Sequence, residues 1–111
     1  MSGLAGDLLF HPIAEIGRAL RAKKVSPQAL VEMSLERLDK IGRSLNAVVT
    51  LAGEDALEQA RDAEKDLARG RTRGPLFGIP WGAKDLLATR GMPTTWGAAP
   101  YREMLHHGRR R

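Results

Sequence analysis

The 111-residue sequence contains no cysteine, which excludes disulfides and thiolate metal sites and leaves a reducing compartment unopposed. Aromatic residues make up only 5% of the chain, so any core must be built from Leu, Ile, Val and Ala. Long apolar runs are missing as well. Nothing approaches the roughly eighteen consecutive apolar residues of a membrane span, and the first ten residues carry no basic segment ahead of a short apolar run. These absences predict a cytoplasmic protein with no membrane partner. What remains, 42% hydrophobic and 28% charged residues, suits one ordinary globular domain.

A net charge of +5 raises the question of nucleic acid, and the order of charges along the chain argues against it. Arg109, Arg110 and Arg111 supply three of the five positive charges. Elsewhere acids and bases interleave, as in Glu58, Arg61, Asp62, Glu64, Lys65, Asp66 and Arg69, the pattern of a solvated helix face. No nucleic-acid partner is expected on this pattern.

Hydrophobic spacing predicts three helices. Residues 12–22 place Ile13, Ile16 and Leu20 at helical intervals behind Pro12. Ser26 as N-cap and Pro27 at N1 open a second helix over 26–41. Its apolar stripe is Leu30, Val31, Leu35, Leu38 and Ile41, and Gly42 is its stop. Residues 54–69 form a third, with Glu54 and Asp55 in the first turn and Gly70 past the end. Two runs read as strands: Asn46–Leu51, rich in β-branched residues, and 81–87. Strand 47–51, helix 54–69 and strand 81–86 then compose a right-handed βαβ unit. The fold class expected is α/β, helices followed by a βαβ unit of a mixed sheet.

The densest stretch is Gly74-Pro75-Leu76-Phe77-Gly78-Ile79-Pro80-Trp81-Gly82-Ala83-Lys84-Asp85-Leu86-Leu87, with Gly91-Met92-Pro93-Thr94-Thr95-Trp96-Gly97 soon after. A lysine between Gly/Pro loops can approach other backbone closely. An amine serves as a base only when neutral, which burial away from water favours. By spacing alone, though, a Lys-Asp pair is usually a solvated one.

The ordered string Gly-Pro-Leu-x-Gly-Ile-Pro-x-x-x-Lys-Asp, followed by Gly-x-Pro-Thr-Thr, resembles the first conserved block of the amidase signature family. The upstream order is similar too: Ser26-Pro27 opening a helix, Leu45-Asn46-Ala47-Val48-Val49-Thr50, and the Ala-rich charged helix at 54–69. The resemblance covers roughly residues 8–102. It implies the amino-terminal part of the amidase signature domain over 1–102, with a divergent basic tail at 103–111.

It also implies hydrolysis of amide bonds by a Ser-Ser-Lys triad, without cofactor or metal, on a small amide substrate. Lys84 matches the triad's lysine. The two serines belong to a Gly/Ser-rich block further along the family's chains, and these 111 residues contain none: Ser2, Ser26, Ser34 and Ser44 all precede Lys84. The chain therefore resembles a truncated fragment, expected to be inactive alone. Trp81-Gly82-Ala83 and Thr94-Thr95-Trp96-Gly97 look more like stand-alone amidases. The alternatives are a fragment of the A subunit of a glutamine-dependent transfer-RNA amidotransferase, or a non-catalytic piece that self-associates or docks through exposed strand edges. His106-His107 and His11 read as solvated rather than metal-binding.

Overall fold

The computed structural model describes residues 8–84, 87, 92–95, 97–101 and 103. Two compact units divide the chain, Met1–Pro80 and Trp81–Arg111. Among the described residues from Ile13 onward the first contains three helices: α1, Ile13–Arg21; α2, Pro27–Arg37, continued by a π-turn at Leu38–Gly42; and α3, Gly53–Ala68. The hydrophobic spacing locates α1, α3 and the start of α2 to within a residue or two. In the second unit a single turn of 3-10 helix occupies Ala99–Tyr101.

Local signals account for the start of α2 and for the ends of all three helices. The Ser26 side chain accepts a hydrogen bond from the Ala29 N–H at 3.0 Å, and Pro27 follows at N1, where its missing N–H costs nothing. At the C-termini one arrangement recurs three times. Residues Lys23, Asn46 and Gly70 take positive φ (60°, 54° and 71°). The next N–H reaches back five residues: Lys24 to Ala19, Ala47 to Gly42, and Arg71 to Asp66. This is the Schellman cap, which satisfies carbonyls that a helix end would leave orphaned.

The second cap corrects two expectations. Gly42 does not stop α2; the helical turns run past it to Asn46. The wider π-turn breaks the phase of the apolar stripe, so that Gly42 is buried while Leu38 and Ile41 are exposed. Gly42 is needed for its size, since a Cβ there would lie 2.7 Å from Val48 Cγ2.

Helix directions follow from three contacts. A Cβ placed on Gly78 would sit 3.3 Å from Leu20, 3.5 Å from Pro27 and 3.7 Å from Leu67. The C-termini of α1 and α3 therefore meet the N-terminus of α2 around that glycine. At the other end Gly53 opens α3 beside Leu35, and the Arg37 guanidinium stacks 5.0 Å from the ring of Phe10, just ahead of α1. The helices thus run up, down and up. Leu8, Ile16, Leu20, Val25 and Leu30 form the core between them, with Met33, Leu67 and Ile79 packed against it.

The expected βαβ unit is absent: no strand occurs among the described residues. Asn46 is a helix cap, the Ala47 N–H is spent on Gly42, and Val49 is 64% exposed. Residues 81–84 form no regular element, while Asp85 and Leu86, also read as strand, lie outside the described residues. The physical reason is pairing. A β-branched run becomes a strand only beside a partner that takes up its N–H and C=O groups. The two segments belong to different compact units.

Candidate functional site

The residues around Lys84 build a short series of turns. Gly74 and Gly78 take positive φ, at 126° and 86°, and let the segment Gly74–Pro80 fold back onto the helices. Turn hydrogen bonds hold it, from the Phe77 N–H to Gly74 and from the Ile79 N–H to Leu76. Pro80 ends the first unit and Trp81 begins the second.

Residues 81–84 are exposed, Lys84 included. The Lys84 carbonyl accepts the Leu87 N–H at 3.0 Å, so the lysine opens a turn rather than standing in mid-strand. That turn is fastened from below. Thr94, 1% exposed, donates its hydroxyl to the Leu87 carbonyl at 3.3 Å. Thr95, also buried, receives the Gly97 N–H on its side-chain oxygen at 3.2 Å, and its own carbonyl takes the Ala98 N–H. Gly97 has φ 75°, a conformation that a larger side chain resists.

Thr94 thus ties down the turn that Lys84 opens, while Thr95 closes the turn that follows, roles that spacing did not disclose. A signal was available in principle, because two adjacent threonines in a Gly/Pro-rich stretch have hydroxyls well suited to closing turns. Asp85, Gly91, Trp96, His106 and His107 lie outside the described residues.

The described serines are engaged in helices. Ser26 caps α2, Ser34 lies half-buried within it, and the Ser44 hydroxyl donates to the Ile41 carbonyl at 2.7 Å. His11 is exposed and paired with Glu15 at 2.7 Å, one helical turn on. Among the described residues no three His, Cys, Asp or Glu side chains gather as a metal site, and no helix is long and apolar enough to cross a membrane.

Comparison with known proteins covers this same stretch. The amidase family profile matches residues 29–106, from α2 through the lysine turn and beyond the Thr-Thr pair. The glutamyl-tRNA(Gln) amidotransferase A subunit of Geobacillus kaustophilus is 38% identical over 89 residues, 80% of this chain and 18% of the relative. Its counterpart from Dechloromonas aromatica is 42% identical over 86 residues, 78% of this chain and 18% of the relative. An acylamidase from Rhodococcus erythropolis is 31% identical over 94 residues, 85% of this chain and 20% of the relative. The chain therefore spans about a fifth of the length of the curated relatives it matches. With a family match over more than two thirds of its residues and an unbroken lysine block inside that match, this chain belongs to the amidase family.

Proposed function

We propose that this chain supplies the general-base lysine of an amide-bond hydrolase, with Lys84 in that role. The observation carrying this reading is the uninterrupted motif from Gly74 to Asp85, lying inside the matched region and followed by Thr94, whose hydroxyl holds the turn that Lys84 opens. In such a mechanism the neutral amine takes a proton from one serine hydroxyl, which in turn takes the proton of the nucleophilic serine. No histidine, cofactor or metal is required, and the substrate is a small amide. A cytoplasmic location accords with this chemistry.

The 111 residues hold the base but no Gly/Ser-rich block to provide nucleophile and relay. Loss of the nucleophile alone costs a serine hydrolase about 10⁶ in rate. The purified chain is therefore expected to show no amide hydrolysis above background on simple aryl amides. Turnover by the 111 residues that disappears in Lys84→Ala would overturn this expectation of inactivity while keeping Lys84 as the base.

A second parentage is favoured by one observation. The amidotransferase A subunits share 38% and 42% identity with this chain, against 31% for the acylamidase. On that reading the lysine serves a glutamine-dependent amidotransferase rather than a stand-alone amidase. Self-association is a further expectation, through the apolar residues left exposed at one end of the helices rather than through strand edges.

A further inference from the structure

Folding sorts charges that alternate along the sequence. The C-termini of α1 and α3 meet at one end of the helical unit, around Gly78. The last turn of α1 and the link after it bring Arg18, Arg21, Lys23 and Lys24 to that end. The last turn of α3 and its following loop bring Lys65, Arg69, Arg71 and Arg73. All eight are exposed. The two groups adjoin: a Cβ on Gly17 would lie 3.2 Å from both the Arg21 guanidinium and the Pro75 carbonyl, where the loop returns to α1.

Within residues 18–24 and 65–73 the one acid is Asp66, 3.5 Å from Arg73. Cations at two helix C-termini are partly accounted for by the helix dipole, yet eight of them exceed that need. The opposite end is different in kind. There Glu36 pairs with Lys40 and Asp39 with Arg43, while Glu54 and Asp55 stand at the start of α3. The exposed apolar residues Phe10, Ile13, Leu38, Ile41 and Leu45 also lie toward that end.

We infer that the basic end is a binding surface for the phosphodiester backbone of a single-stranded nucleic acid. An acidic protein partner would ordinarily bring apolar and aromatic anchors to the centre of its interface, and the apolar residues here lie mostly at the other end. Duplex readout would call for a helix face entering a groove, whereas these cations sit on helix ends and links. Eight cations, with Asp66 the one acid within those two segments, match a repeating chain of phosphates held electrostatically and without base specificity.

Fluorescence anisotropy of the full chain with a labelled uridine 20-mer tests this, with a glutamate 20-mer as the protein-like polyanion. Affinity for the RNA should fall with salt at a log–log slope of about −3 to −5, as for roughly four to seven phosphates. The double variants Lys23→Glu/Lys24→Glu and Arg69→Glu/Arg71→Glu should each lose at least tenfold in affinity. Lys40→Glu/Arg43→Glu at the other end, and Arg109→Gln/Arg110→Gln/Arg111→Gln in the tail, should stay within threefold of the parent. Circular dichroism verifies folding, and Arg69→Gln/Arg71→Gln provides a milder variant with the same expected direction. The inference is overturned by absence of RNA binding, by equal loss in the Lys40/Arg43 control, by loss confined to the tail variant, or by glutamate polymer binding as tightly as RNA.

Discussion

Lys23 and Asn46 hold the same left-handed backbone as Gly70, and only the glycine does so without crowding its own Cβ. Asn adapts to this conformation better than most residues; Lys has no such excuse. At the end of α1 the Schellman bonds from Lys23 and Lys24 outweigh that strain, because the carbonyls of Leu20 and Ala19 would otherwise lack partners. Lys23→Gly keeps those bonds and removes the strain, so it should stabilise the fold by about 1 kcal/mol. Equilibrium urea unfolding of the two proteins gives the sign directly. A destabilised glycine variant would mean that the Lys23 side chain makes a contribution larger than its backbone cost.

At the scale of elements, helices were legible because their signals are local. Ser26-Pro27 specified the start of α2, Glu54, Asp55 and Gly70 bracketed α3, and spacing identified Ile16, Leu20 and Leu30 as core. The strands were not legible for a complementary reason. Ala47–Leu51 and 81–84 have the composition of strands, but strand formation depends on a partner elsewhere in space, which composition does not report. Lys84 was legible as a motif residue, whereas the Thr94 tether to Leu87 was not, since it closes seven residues apart.

The segment carrying the motif has an element-scale test of its own. Gly78 seats in the junction of all three helices at φ 86°, with Leu20 3.3 Å from where a Cβ would stand. Gly78→Ala combines backbone strain with crowding against the core and should cost about 1–3 kcal/mol. Urea unfolding measures that loss, and a neutral result would mean that Gly74–Pro80 is not packed on the helices as described.

Across the whole molecule, polarity is the distinguishing feature of the helical unit: cations at one end and, Leu76 apart, the large exposed apolar side chains of the helices toward the other. Phe10 and Leu45 are 73% and 70% exposed, and Leu38 and Ile41 lie along the same helix as Leu45. Apolar surface of this kind usually meets another surface. Association that grows with concentration is therefore expected, read by light scattering after size exclusion. Leu38→Glu/Ile41→Glu should restore a monomer. Were the parent monomeric at high concentration, or the variant equally associated, the apolar end would not be the contact. The chain spans about a fifth of the relatives it matches, and in a whole amidase domain other segments are available to meet that end.

If Lys84 is the base of an amide hydrolase, its removal must be felt where nucleophile and relay are present. Residues 8–102 would replace the matching segment of the Rhodococcus erythropolis acylamidase, and aryl-amide hydrolysis would be followed with Lys84 intact and with Lys84→Ala. A folded, active chimera is expected, with kcat falling by at least about 10²–10⁴ in the variant, the usual contribution of a positioned general base. An active chimera that keeps its rate without Lys84 would contradict it.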